Sequence, residues 1–302
     1  MSNIHAALEI GTTRTVLAIG ETHNGGRLKI TCHAEIPSTG VRKSQILDIS
    51  QATQSIRSVL KEIENRHDAL GSKITIANAI LAVSGQHVSA THAEGNAVVE
   101  GAKVGDDEIN EAQRRAREMP LPKGRELLDI IDQDYAVDGL GGITSPKGMS
   151  GRMLKLNTLL LHADSNRIQD AKTAAESAHL EISEPLFAAT CAADAVLGEH
   201  ERRNGVLLLD IGGGSTGYAA YSDGCLADAG VIGVGGDHIT NDIAYAFRTT
   251  NAQAEKLKIE EAKKLIQKEK HSISRISEML LFSTQYYFSR VFKKVEGIAP
   301  SE

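Results

Sequence analysis

One short device occurs twice in this chain and constrains its fold more than any bulk property. Leu8-Glu9-Ile10-Gly11 and Leu209-Asp210-Ile211-Gly212 align position for position: an apolar run, an acid, then Ile-Gly. Thr12 and Thr13 follow the first, Gly213, Gly214 and Ser215 follow the second, and each turn runs on into another apolar stretch. Both read as strand–turn–strand units whose turns carry no bulky side chain. Such a turn presents backbone N–H groups with nothing in front of them, a nest suited to an anion, and neighbouring hydroxyls add donors. A carboxylate there would repel phosphate unless a cation stands between, so Glu9 and Asp210 suit Mg2+ held through water. Gly235 and Gly236, in "GVGGDH" ahead of a helix, offer a third phosphate contact. A single such turn is usually an ordinary hairpin; its repetition favours a common phosphate role. The chain has no G-x-x-x-x-G-K-[ST], so it is no P-loop protein, and no strand is followed by G-x-G-x-x-G.

At 302 residues the chain is long enough for about two domains. Its three cysteines, Cys32, Cys191 and Cys225, are scattered and form no C-x-x-C pair, which disfavours a zinc site or a disulfide framework and suits a reducing cytoplasm. The start of the chain reads as a strand rather than a signal peptide, and no apolar run nears the roughly 20 residues a membrane span needs. The net charge of −6 argues against a general polyanion binder, but residues 263–294 hold eight Lys/Arg against two Glu, which makes this tail the one basic segment.

Periodicity predicts paired strands over Ala6–Gly20, a strand over Leu28–Ile36, and a helix capped by Ser50 with Ile56, Val59, Leu60 and Ile63 on one face. Strands follow at Ile74–Val83 and His87–Glu100, then a charged helix, Glu108–Glu118, capped by Asp106. Leu127–Val137 and Leu154–His162 read as strands flanking a glycine-rich loop. Ser165 is expected to cap a helix reaching His179. "SEPLFAATCAADAVLGEH" reads as a loop entering an alanine-rich helix. Val206–Leu209 reads as a buried strand. The helix after Gly236 is expected to bury Ile239, Ile243 and Phe247, and Asn251 to cap a last one, Ala252–Lys270.

With these motifs the chain resembles the actin-like ATPases and, within them, the FtsA family of bacterial cell-division proteins. "LEIGTTRT" looks like the first phosphate motif, "LDIGGGST" like the second, and "SEPLFAATCAADAVL" like the connecting segment. "VGGDHITNDIAYAF", "AEKLK" and "VSGQHV…DYAVDG…GMSGRML" look like marks of FtsA itself, and the similarity runs from about Ala6 to Lys258. The resemblance implies an α/β, actin-like (ribonuclease H-like) ATPase fold with an inserted small α+β subdomain and an incomplete second lobe. Residues 1–83 would form the first lobe, 84–162 the insert, 163–200 the return to the first lobe, 201–258 the start of the second, and 259–302 an atypical basic tail.

The roles implied are specific. Gly11, Thr12 and Thr13 would touch the phosphates of ATP, and Gly212, Gly213, Gly214 and Ser215 would cradle them from the other side. Glu9 and Asp210 would hold Mg2+. Glu184 would stand near the attacking water, with at most weak ATP turnover, and Gly235 and Gly236 would approach the nucleotide. Implied partners are FtsZ, whose site is expected to be incomplete here, other division proteins, and further copies of the chain in a filament. The expected location is the inner face of the cell membrane at the division site.

Two departures stand out. Gly217 occupies the place of an Asp in the family's "GGGTTD", which bears on hydrolysis. Beyond "AEKLK" the sequence leaves the family pattern, as a truncated member with a foreign end would. There, "YYFSRVFKKVEGIAPSE" resembles the end of an AraC-type helix-turn-helix. Phe288, Val291, Phe292 and Val295 also share a helical face, with Arg290, Lys293 and Lys294 beside it, so residues 286–298 suit either a membrane-interface helix or one that caps a core. Nucleic acid is not the expected partner. The alternatives are a small-molecule kinase of the same superfamily, for which no polar substrate cluster with a base is found, and a truncated inactive fragment.

Overall fold

The computed structural model describes residues 3–22, 28–69, 74–268, 270–280, 282 and 285–301. The chain divides into two compact units. The first comprises residues 1–210 and 217–231, the second residues 211–216 and 232–302.

In the first unit, β1 (Asn3–Ile10), β2 (Arg14–Thr22) and β3 (Leu28–Pro37) form an antiparallel meander. A two-residue-per-strand hairpin, β4 (Val41–Arg42) and β5 (Gln45–Ile46), leads into α1 (Ile49–Ala69) and β6 (Asn78–Val83), which lies parallel to β1. After the insert, α3 (Ser165–Ser177) returns the chain to β11 (Glu181–Phe187), parallel to β6. The sheet order is β11-β6-β1-β2-β3. Leu8, Leu17, Ile19, Ile56, Val59, Ile63 and Ile168 are buried together, so α1 and α3 cover one face of the sheet through the apolar stripe read from the sequence.

The insert contains β7 (Val88–Val98), α2 (Asp106–Arg117), β8 (Arg125–Val137), β9 (Leu140–Ile143) and β10 (Met153–Asp164), with antiparallel order β7-β10-β8-β9. α2 lies against β7 at Gly95, where a Cβ would come within 1.8 Å of the Ala112 carbonyl oxygen. Past β11 come α4 (Ala188–Val196), α5 (Glu199–Asn204) and the three-stranded sheet β12 (Val206–Ile211), β13 (Thr216–Ser222) and β14 (Cys225–Ile232).

The second unit adds α6 (Gly236–Ala246), α7 (Asn251–Gln267), α8 (Ile273–Met279) and α9 (Gln285–Glu296). Ile259, Ala262, Ile276, Phe282, Phe288 and Phe292 form its own apolar cluster.

Several expectations are corrected. Val206–Leu209 is not buried on both faces: Leu207 is 56% exposed and Leu209 50%, while Val206 and Leu208 pack on the core. Of the three residues expected to be buried on this helix, Ile239 and Ile243 are only partly buried and Phe247 is 70% exposed; α6 buries Gly236, Thr240 and Ala244 instead. The segment around Glu184 is strand β11 rather than loop, and Ile74–Ala77 precede β6 without joining it. The glycine-rich loop contains β9. Phe288 is fully buried and Phe292 nearly so, which corrects the reading of their face as one turned to a membrane; the face caps the cluster instead. Within 286–298, the side chains of Tyr286, Tyr287 and Lys294 lie outside the described residues.

Candidate functional site

The first glycine turn joins β1 to β2. Ile10 pairs with Thr15, and the Gly11 N–H donates to the Arg14 carbonyl at 3.0 Å, closing the turn in four residues. A Cβ on Gly11 would meet the Arg14 carbonyl oxygen at 2.9 Å, so the bare glycine is what lets the turn close this tightly. The Thr12 hydroxyl accepts from the Ser44 N–H at 2.7 Å. Lys43 and Ser44 both have positive φ, forming the tight tip of the β4–β5 hairpin. That hairpin supports the turn, a role that sequence reasoning missed. Thr13 accepts from the Ser38 N–H through its carbonyl, at 3.1 Å.

Glu9 and Asp210, far apart in sequence, act on each other. Burial, then the charge of Asp210, push the Glu9 carboxyl above its usual range, while Arg14 draws it back. Burial likewise raises Asp210, again opposed by Arg14. Arg14 is half-exposed and bound to Glu35 at 2.9 Å. Two like charges, desolvated together and served by one shared guanidinium, make a site that a divalent cation would relieve. No group of three or more His, Cys, Asp or Glu able to hold a metal exists among the described residues, so such an ion would draw its other ligands from water and a bound anion. The residues fit Mg2+ of that kind.

Gly217, on β13, faces Asp210. A Cβ there would lie 3.8 Å from the Asp210 Cβ and 3.1 Å from the Ala189 Cβ at the start of α4. A side chain at position 217 would therefore press on Ala189 at its first carbon.

The second turn lies in the second unit. The Gly212 N–H donates to the Ser215 carbonyl at 2.9 Å, and Gly213, Gly214 and Ser215 are buried. α6 starts directly on this turn: the Gly236 N–H donates to the Gly212 carbonyl at 3.0 Å and the Asp237 N–H to the Gly213 carbonyl at 2.9 Å. A Cβ on Gly235 would stand 2.5 Å from both of those carbonyl oxygens. The "GVGG" glycines thus serve packing, which the sequence pattern also allowed, and the Gly236 N–H is committed to protein. The Gly235 N–H donates to His238 Nδ1 at 3.1 Å, and the Thr216 hydroxyl to the Val234 carbonyl at 2.7 Å.

Glu184 is exposed on β11, two strands from Glu9 across β6, roughly 10 Å at ordinary strand spacing. Its charge is felt at Cys191, whose thiol is raised mainly by burial. Glu9 and Asp210 are therefore brought together, and Glu184 is not placed with them.

Two protein-family models match the chain: "Cell division protein FtsA" over residues 207–280 and "SHS2 domain inserted in FTSA" over residues 85–162. The second spans β7 to β10. The chain is 30% identical over 252 residues to cell division protein FtsA of Pseudomonas aeruginosa, covering 83% of this chain and 59% of that protein. It is 30% identical over 259 residues to FtsA of Bacillus subtilis, covering 85% and 58%. The chain thus spans a little under three fifths of the length of these relatives. Among solved structures it is similar in fold to a chain of the PilM–PilN type IV pilus biogenesis complex, at TM-score 0.59 and 17% identity, covering 97% of this chain and 86% of that one.

Proposed function

The chain belongs to the FtsA family of cell-division proteins, and on that premise we propose that it binds ATP-Mg and self-assembles as a component of the division machinery. The observation that carries the nucleotide reading is the Glu9–Asp210 pair, desolvated and mutually repelling beside a turn that only glycine can close. These carboxylates would hold Mg2+, which neutralises phosphate charge when bound. Thr12 and Thr13 from the first turn, and Gly213, Gly214 and Ser215 from the second, would donate to phosphates, while Gly11 and Gly212, whose N–H groups close the two turns, would keep each cradle in shape. Gly235 and Gly236 would set the start of α6 against the second turn and so keep its shape. Glu184 would serve in any hydrolysis from a distance, through water, and Gly217 in place of a third acid keeps turnover weak at most.

At the level of partners, the filament would serve the FtsZ ring at the cytoplasmic face of the membrane. No helix among the described residues is long and apolar enough to cross a membrane.

The test is calorimetric titration with ATP-Mg, against ATP in excess chelator and against Asp210→Asn. Binding by the natural chain that weakens at least tenfold in either control is expected; no heat up to millimolar ATP-Mg removes the reading. Sedimentation with and without ATP-Mg, then with FtsZ, examines assembly and partner in turn.

A further inference from the structure

A small hollow lies within the first unit, where the insert leaves the five-stranded sheet. Its apolar wall is formed by Ile10 at the end of β1, Leu81 and Val83 on β6, and Ile168 on α3. Ser84, His87 and Arg167 line its polar side, and no carboxylate lines it. Glu9, Gly11, Thr12 and Thr13 are not among the lining residues, so the hollow is separate from the first phosphate turn. The β4–β5 hairpin closes one side. Its tip is seated on Gly85, where φ is +111° and a Cβ would stand 2.7 Å from the Ser44 Cβ. The cavity volume is about 30 Å3. That is room for roughly two waters, or for one ligand of about four non-hydrogen atoms.

The polar side of the hollow has unmet bonding capacity. His87 Nδ1 is buried and has no hydrogen-bond partner among the described residues. A buried polar atom left in that state is costly. The charges acting on His87 are Arg125 and Arg167 against Asp164. Arg125 is engaged elsewhere, its Nε donating to His162 Nδ1 at 2.9 Å. Asp164 Oδ1 accepts from the Asn166 and Arg167 N–H groups at 3.0 and 3.2 Å. Arg167 meets Asp170 at a loose 3.8 Å. Burial first, with the two arginines, pushes His87 down to about 4, so its imidazole is neutral at neutral pH. A neutral imidazole can carry its proton on Nδ1 and donate it. The hollow thus offers a guanidinium and an imidazole N–H above an apolar floor. A guanidinium fork matches a carboxylate, and the floor suits a short alkyl group.

We propose that this hollow binds a short-chain monocarboxylate of the size of acetate, its carboxylate held by Arg167 and His87 and its methyl group against Leu81, Val83 and Ile168. The site does not rest on the nucleotide reading. Its occupant would bear on both crossings into the insert, because the His87 carbonyl accepts from the Asp164 N–H at 3.2 Å where the insert ends.

The experiment uses the full chain with 13C-labelled histidine rings, titrated with sodium acetate at neutral pH while sodium chloride keeps the ionic strength constant. The His87 ring signals, identified by their loss in His87→Gln, are expected to move saturably with a millimolar midpoint, and those of exposed His200 to stay still. Arg167→Gln should weaken acetate binding roughly tenfold, the loss of one charge-assisted pair. Ala171→Leu fills the hollow from α3 and should abolish binding, with circular dichroism showing that each variant is folded. Butyrate, too long for the space, should bind more weakly than acetate. A His87 response in the natural chain that is absent, or that chloride alone reproduces, overturns the site. So does unchanged affinity in either folded variant, or butyrate binding as tightly as acetate.

Discussion

Glu9 and Asp210 each prefer to hold a proton more than an exposed carboxylate does, because burial and mutual repulsion penalise their charges. The folded chain then keeps protons that the unfolded chain has already lost. Stability attributable to the pair falls as pH rises from the ordinary carboxylate range through the raised folded values, and the deficit is complete above them. Glu9→Gln should therefore raise the melting temperature by a few degrees at pH 7 without divalent cation and leave it unchanged near pH 4. Added Mg2+ should stabilise the natural chain more than this variant; scanning calorimetry at the two pH values reads both effects. His87 has the opposite sign. Desolvation, with Arg125 and Arg167 against Asp164, lowers it from 6.5 to about 4, and its Nδ1 is buried without a partner among the described residues. Between pH 6.5 and about 4 the unfolded chain binds the proton and the folded chain does not, so acid should cost up to about 3 kcal/mol. In urea unfolding, His87→Gln should flatten that part of the pH profile; an unchanged slope would show that His87 is not its source.

Among the elements, helix starts show how far local reading reaches. Four of the helices read from the sequence were given a cap residue, yet each cap lies one or two residues earlier than the sequence suggested. Asp48 Oδ1, not Ser50, accepts the Gln51 N–H at 3.0 Å. Gly105 precedes α2, its N–H bound by Glu108 at 2.8 Å, and Asp106 instead pairs with Lys147. Asp164 rather than Ser165 caps α3, and Thr250 rather than Asn251 caps α7. Neighbouring residues of similar capping strength compete, and the one left with extended backbone is chosen by where the preceding strand or loop arrives. Close packing is similarly silent in sequence. Gly95 sits in an unremarkable stretch of β7, but a Cβ there would strike the α2 backbone at Ala112 and Ala116. Gly95→Ala should cost about 3 kcal/mol, which circular dichroism melting of the full chain would register. A loss below about 1 kcal/mol would mean that α2 can move away freely.

Across the whole molecule, each unit keeps its own core. The large one joins α1 and α3 to the five-stranded sheet, and the small one gathers α7, α8 and α9 around Phe288. Truncating Phe288 to Ala should remove about 3–5 kcal/mol from the second unit. Hydrogen exchange should show faster opening over α7 to α9 while β1, β2 and β6 keep their protection. The repeated acid-Ile-Gly turn, most of the longer strands and helices and the family were already determined by the sequence, because turn chemistry and periodicity act over a few residues; the short β4, β5 and β9 and the strand β11 were not. Tertiary structure alone decided which face of β12 is bare, that the apolar stripe of α9 turns inward, and that the buried Lys258 ammonium of α7 meets Thr240 of α6. Burial depends on what distant chain arrives to cover a surface, and no local pattern of residues carries that information.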